Sequence, residues 1–188
     1  MRLYNRIILI SLFLMFVNLD VFGQNVRKTE KPPVNERLFF GGSFGLQFGT
    51  ITYIDVSPII GLWILPKVAI AGGPNFTYYK NKYYDEEIII YGGRLYTQYL
   101  LLENINNVLP IGLNTGIFLH LEDELSHYKI ISPSYASDNF FANNVLLGGG
   151  IRQPIGARSF LNLTVLWTIH DSGYSIRSNP EMRVSFNF

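Results

Sequence analysis

From Arg37 to Phe188 the chain runs as a series of stretches, each about ten residues long, in which apolar and polar side chains alternate one by one. A period of two is the geometry of a β-strand whose two faces meet different surroundings. The pattern is cleanest near the end, where Leu161, Leu163, Val165, Trp167 and Ile169 fall on one face and Asn162, Thr164, Thr168 and His170 on the other. The last stretch sets Met182, Val184, Phe186 and Phe188 against Arg183, Ser185 and Asn187. The first sets Phe40, Phe44, Leu46 and Phe48 against Gly41, Ser43, Gly45, Gln47 and Gly49. A fifth sets Leu113, Ile117, Leu119 and Leu121 against Asn114, Gly116, Phe118 and His120.

Eight segments follow from this reading: Leu38 to Gly49, Thr52 to Ile64, Val68 to Tyr79, Ile88 to Leu101, Ile111 to Leu121, Asn143 to Gln153, Ser159 to His170 and Glu181 to Phe188. A soluble sandwich or lipocalin-like barrel hides its apolar face and puts charges on the other. Here the polar face carries Gly, Ser, Asn and Thr with few charges, as suits the crowded interior of a narrow barrel, and the apolar face is left to point outward. The expected fold is therefore all-β, a transmembrane antiparallel up-and-down barrel of eight strands over residues 37–188. Ile88-Ile89-Ile90 and Leu100-Leu101-Leu102 break the alternation and fit a buried strand equally well.

Composition agrees. Twelve Tyr, fourteen Phe and two Trp make the chain 15% aromatic, and seventeen Gly accompany them. Only 15% of residues are charged, against roughly 25% in soluble domains, so something other than water is expected to face part of the surface. The net charge of +1 comes without any basic stripe interleaved with aromatics, which excludes nucleic acid as a partner. Absence of Cys removes disulfides, thiolate metal sites and cysteine nucleophiles together.

Residues 1–23 have the three parts of a secretory signal peptide: Arg2 and Arg6, the apolar run Ile7 to Val17, and Val21-Phe22-Gly23 before Gln24. The run is shorter than the roughly 20 residues a spanning helix needs, so cleavage after Gly23 is expected rather than anchoring. Residues 24–36 are polar, contain Pro32-Pro33, and read as a periplasmic lead-in. No later apolar stretch is long enough for a spanning helix, and only helices and closed barrels satisfy their backbone in lipid.

The connections give an orientation. Leu65-Pro66-Lys67, Glu103 to Pro110 and Pro154 to Arg158 lie at one end, two of them short. Lys80 to Glu87, Glu122 to Ala142 and Asp171 to Pro180 lie at the other, with a tight connection around Thr50-Ile51. Outer-membrane barrels keep short turns in the periplasm and long loops outside. Tyr78, Tyr79, Tyr83, Tyr84 and Tyr91 are expected in an outer aromatic girdle, with Phe160, Phe186 and Phe188 in an inner one. Trp63 lies near the inner rim, yet its parity points it inward.

The ending Met182-Arg183-Val184-Ser185-Phe186-Asn187-Phe188 resembles the C-terminal strand of bacterial outer-membrane barrels, in which alternating apolar residues finish on Phe. With the export signal and eight segments, the chain resembles the small eight-stranded class that includes the OmpA transmembrane domain and the OmpX type. The resemblance implies the outer membrane of a Gram-negative bacterium, contact with its lipid, and recognition of Phe186 and Phe188 by the barrel-insertion machinery. It departs from OmpA in having its lead-in before the barrel. Fold alone does not imply function within the class.

Parity places Gln47, Asp55, Arg94, Gln98, His120, Arg152 and Arg183 in the interior, where charges must be paired. Two readings follow: a hydrogen-bonded plug, or a polar path that three Arg would bias toward anions. His120, Glu122, Asp123, Glu124, Ser126 and His127 cluster where the longest loop is expected to start, and His170, Asp171 and Ser172 stand near another, so a lipid-modifying hydrolase is an alternative. No nucleophile motif surrounds these serines. Glu122-Asp123-Glu124 reads as a solvated loop rather than a Ca²⁺ site, and Gly148-Gly149-Gly150 as close strand packing rather than a phosphate loop. Asn75-Phe76-Thr77 and Asn162-Leu163-Thr164 match the glycosylation pattern inside expected strands and are discounted. No cofactor is expected. The leading expectation is a non-enzymatic outer-membrane barrel with a structural, adhesion or partner-binding role through its extracellular loops, with a minor pore for small solutes and an outer-membrane lipid-modifying enzyme as alternatives.

Overall fold

A computed structural model of the protein describes residues 32–110, 112–131, 138–172 and 179–188. The signal segment and nearly all of the lead-in lie outside the described residues. Except for Pro32, the described residues belong to the unit Pro33–Phe188. That unit opens with a single helical turn, α1 (Val34–Arg37), and continues as eight strands: β1 (Leu38–Gln47), β2 (Ile51–Leu65), β3 (Val68–Asn81), β4 (Glu86–Leu102), β5 (Gly116–Ile131), β6 (Asp138–Pro154), β7 (Phe160–His170) and β8 (Glu181–Asn187). Each pairs antiparallel with its sequence neighbour, and β8 returns to β1 to close the barrel. Phe40 and Phe188 extend that seam by exchanging two backbone hydrogen bonds, of 3.1 and 2.7 Å.

Closure needs a stagger. Following the paired residues Leu38, Leu62, Ile70, Thr97, Leu121, Leu147 and Trp167 round the wall, and continuing the register through β8, returns to β1 at the level of Phe48, ten residues beyond Leu38. With eight strands, that stagger tilts each strand by about 40° to the barrel axis and leaves an interior just wide enough for side chains.

The alternation sorts side chains into an inside and an outside. In β1, Phe39 and Ser43 are buried while Phe40, Phe44 and Leu46 are exposed; in β7, Asn162, Thr164 and Leu166 are buried while Leu163, Trp167 and Ile169 are exposed. The breaks in alternation resolve the same way, with Ile88, Ile90 and Leu100 inward and Leu101 exposed. Inward glycines make room. The ring of Phe39 lies over Gly61, its direct partner on β2, in the space a Cβ would take. A Cβ on Gly148 would collide with the Val165 carbonyl oxygen, so β6 and β7 approach this closely only with glycine there.

Two apolar clusters fill the interior at different heights. Phe39, Ile59, Ala69, Ala71 and Tyr96 form one, with Trp63 against it. Ile88, Ile90, Tyr128 and Ala142 form the other, with Tyr79, Ile130 and Phe140. Trp63 follows its parity into the lumen, 6.1 Å from Phe39 between ring centroids. Tyr79 and Phe160, expected in aromatic girdles, also face inward. Tyr79 joins the second cluster, and Phe160 lies 5.2 Å from the Arg152 guanidinium.

The largest correction concerns the loops. The fifth strand, expected over Ile111 to Leu121, runs from Gly116 to Ile131, and the sixth begins at Asp138 instead of Asn143. The expected loop Glu122 to Ala142 is thus mostly a paired hairpin, whose register continues to Ile130↔Asp138, and its connection is 132–137. Lys80 to Glu87 likewise shrinks to a turn at 82–85, held by Asn81 Oδ1 accepting from the Tyr83 N–H (2.9 Å) and by Asp85 in the left-handed conformation (φ 49°). The longest connection is instead 103–115, at the end expected to carry short turns, with a 3₁₀ turn at Ile105–Asn107. The asymmetry between the ends lies in strand length. β3 to β6 have 14 to 17 residues, whereas β1, β7 and β8 have 10, 11 and 7.

Three ladders carry a one-residue register shift, at Trp63/Leu65, Leu100/Leu102 and Val145/Leu146, and the first of them also has a wider gap. β2 and β3 pair at Val56↔Phe76 and again at Ile60↔Gly72, but not at the three positions between. There Pro58 and Pro74 stand opposite each other, and neither has an N–H to donate.

Candidate functional site

The polar residues of the lumen form a belt of hydrogen-bonded groups between and beside the apolar clusters. β5 contributes more of it than any other strand, because its alternation continues without a break through His120, Glu122, Glu124 and Ser126, all of them buried. Arg183 on β8 reaches across the interior and holds Glu122 through both carboxylate oxygens, at 2.9 and 2.8 Å, while its Nη2 and Nε donate to Glu181 at 2.8 and 3.1 Å. The fork of a guanidinium suits this geometry, since it satisfies two carboxylates at once.

Below that pair the hydrogen bonds have a consistent direction. Arg152 Nη2 donates to Gln98 Oε1 (2.9 Å), which turns the amide nitrogen of Gln98 toward His120 Nδ1 (3.2 Å). Nδ1 must then accept, so the imidazole proton sits on Nε2, which donates to Glu122 Oε2 (2.9 Å). Arg152 also donates from Nε to Asn162 (3.1 Å), and its guanidinium lies 4.9, 5.7 and 5.2 Å from the Trp63, Phe118 and Phe160 ring centroids. An arginine boxed by three rings fills one end of the interior.

Arg94 donates to Ser43 Oγ (3.2 Å) and to the Ser57 carbonyl (3.0 Å), bridging β4 to β1 and β2. Asn75 donates to Glu124 (3.0 Å) and to Ser126 Oγ (3.1 Å), and Ser126 donates to Glu124 (2.7 Å). Thr77 donates to Asp55 at 2.7 Å. Gln47, placed inside by parity, is exposed at the end of β1. The space left beside Arg94, Gln98, His120 and Arg183 is about 10 Å³, room for roughly one water molecule.

This belt changes two sequence expectations. The premise of an anion bias, three interior Arg with few carboxylates, is not met, because Glu122, Glu124 and Glu181 join Asp55 inside, and Glu122 and Glu181 pair directly with Arg183. Glu122 and Glu124 share the parity of His120, although three consecutive acids resemble loop by charge. The cluster from His120 to His127 is also taken apart. His120, Glu122, Glu124 and Ser126 point inward, while Asp123 is exposed and His127 lies outside between the rings of Tyr91 (4.8 Å) and Phe141 (4.7 Å). His170 is exposed at the end of β7. Phe186 stacks on Phe44 across the closing seam at 6.5 Å, and Phe188 is exposed beside it.

No family model matches the chain, and no curated protein matches it. Among solved structures it is similar to the N-terminal β-barrel domain of Pseudomonas aeruginosa OprF, with 15% identity, a TM-score of 0.47, and coverage of 81% of this chain and 98% of that one.

Proposed function

We propose that the protein is a non-enzymatic barrel of the Gram-negative outer membrane, exported by residues 1–23, with a closed interior and a structural or partner-binding role. The observation that carries this reading is the inversion of the wall. Exposed side chains of the strands include Phe40, Phe44, Val56, Ile60, Leu95, Leu119, Leu147, Leu163 and Val184, whereas charged and hydrogen-bonding groups occupy the core. A water-soluble barrel with this outer surface would aggregate, while in a bilayer the same surface is solvated by acyl chains and closure leaves no edge strand.

The interior supports a rigid plug over a pore. The cavity beside Arg94, Gln98, His120 and Arg183 has room for about one water molecule, and each charge named in the belt has a partner of opposite charge or a hydrogen-bonded neutral one. Contact with the outside then falls to the long end of the wall, formed by the hairpins of β3 to β6, together with the connection 171–180. Phe186 on β8 and Phe188 just after it remain the residues we assign to recognition by the insertion machinery.

The test is fractionation followed by gel migration with and without boiling. Recovery in the outer-membrane fraction, with a faster-migrating form that boiling abolishes, is expected. A soluble periplasmic protein with a single mobility overturns the proposal.

A further inference from the structure

The outward face of β4, β5 and β6 breaks its apolar coat at one deep position. Asp123 points outward on β5, and its direct partners on the neighbouring strands are Leu95 on β4 and Val145 on β6. Leu121 and Leu125 precede and follow it on the same face. Leu95 and Leu125 are 60% and 55% exposed, so the carboxylate stands in a field of exposed aliphatic side chains. Among the described residues its hydrogen-bond partner is neutral: Asn143 Nδ2 donates to Oδ1 at 2.7 Å. The outward cation on the same strand is Lys129, six residues on. At about 3.3 Å per residue and a tilt of about 40°, that places Asp123 about 15 Å deeper along the barrel axis.

This inference rests on the membrane placement proposed above. At that depth neither lipid headgroups nor water stand beside the carboxylate, and acyl chains offer it no donor. A second copy of this chain offers no cation there either, since the outward polar side chain next to Asp123 on its own wall is the neutral Asn143 and Lys129 lies six residues away. Just beyond Asp123 lies a row of rings, Tyr91, His127 and Phe141, which are direct partners across β4, β5 and β6. Phe141 is 70% exposed. Exposed rings concentrate at interface centres, as does Arg, the side chain that would match the carboxylate.

We propose that the outward face of β4 to β6, centred on Asp123 and Asn143, is a lateral docking surface for a different membrane-embedded protein that brings an Arg or Lys side chain to Asp123 at the same depth. Asn143 holds the carboxylate in place, Leu95 and Leu125 exclude lipid around it, and the ring row supplies apolar contact above.

The experiment places a photo-crosslinking phenylalanine derivative at Leu125 of the full chain, in cells that naturally make the protein. One discrete adduct is expected, mapping to a membrane-spanning segment that carries Arg or Lys. Its yield should fall by about tenfold or more in Asp123→Leu and Asp123→Asn, while Asp123→Glu retains it. The same label at Val184, on another part of the outer face, should not give that adduct. Boiling-dependent migration in the outer-membrane fraction verifies folding of each variant, and its loss in the unsubstituted protein would count against the membrane reading itself. With the barrel in that fraction, three results overturn the docking proposal: adducts to lipid or a second copy only, a partner segment without a cation, or undiminished yield in whichever neutral variant folds.

Discussion

Glu122 and Arg183 lie 61 positions apart in the chain and meet in the middle of the barrel through two charge-assisted hydrogen bonds of 2.9 and 2.8 Å. They join the centre of β5 to β8, the shortest strand, which is also the strand that closes the wall. Removing one partner strands the other in a dry interior. Glu122→Leu or Arg183→Met should therefore cost about 3–5 kcal/mol, while the double variant carrying both should cost clearly less than the two single losses combined. Urea unfolding of the barrel in bilayers measures all three, and additive losses would show that the pair is not coupled.

The hydrogen bonds running from Arg152 through Gln98 dictate the protonation of His120. The imidazole should be the neutral tautomer with its proton on Nε2, since the Gln98 amide nitrogen already faces Nδ1. Two-bond proton–nitrogen couplings in a labelled sample distinguish the tautomers. Finding the proton on Nδ1 would mean that the Gln98 amide is reversed and that Arg152 does not orient it.

The two tryptophans should report opposite sides of the wall. Trp63 is inside, against Phe39 and Arg152, and Trp167 is half-exposed on the outward face of β7. In vesicles containing lipids brominated on their acyl chains, Trp63→Phe should leave fluorescence that is strongly quenched, and Trp167→Phe should leave fluorescence that is largely spared. Equal quenching would contradict the assignment of the two faces.

Glycine substitutions should separate close approach from mere smallness. A Cβ at Gly148 overlaps the Val165 carbonyl oxygen, whereas at Gly93 its nearest neighbour is the Gly73 carbonyl oxygen at an ordinary 3.7 Å. Gly148→Ala should destabilise the barrel by about 1–3 kcal/mol, and Gly93→Ala should be nearly neutral. The fraction migrating as folded barrel without boiling reads the difference.

Where Pro58 faces Pro74, restoring one amide should help. Pro74→Val supplies an N–H opposite the Pro58 carbonyl and should raise stability by about 0.5–1.5 kcal/mol, the net worth of one hydrogen bond. An unchanged or lower urea midpoint would indicate that the gap is imposed by something other than the missing donor.

Much of this architecture is legible in the sequence because a strand's period is two and needs no tertiary information. Parity alone places Phe39 opposite Phe40, turns Trp63 inward, and separates Leu163 from Asn162. What parity cannot supply is where a strand ends. Glu122-Asp123-Glu124 resembles solvent-exposed loop by charge, but Glu122 is neutralised by Arg183 from a strand 61 residues away, and no local pattern announces that partner. The turn at 82–85 is hidden for the same reason. Polar residues near a strand's end read alike whether the backbone is paired or free. The interior belt was half visible: His120, Gln98, Arg94, Arg152 and Arg183 stand out as isolated polar residues on a patterned face, while Asn75, Asn162 and Ser126 look like any other small polar residue there.

The ten-residue stagger on closing the wall has a consequence for how this chain can vary. A closed ring of eight strands has no free edge at which a misalignment can be absorbed, so a single inserted or deleted residue inside β5 either turns the rest of that strand over, sending Glu122 or its neighbours into the coat and Leu121 into the belt, or is taken up by a bulge. The wall already holds three such extra residues, Ile64, Leu101 and Ile169, each near the end of a ladder. Lineages of such a protein are therefore expected to differ by ones at strand ends and in the connections, and by twos in the middle of the wall.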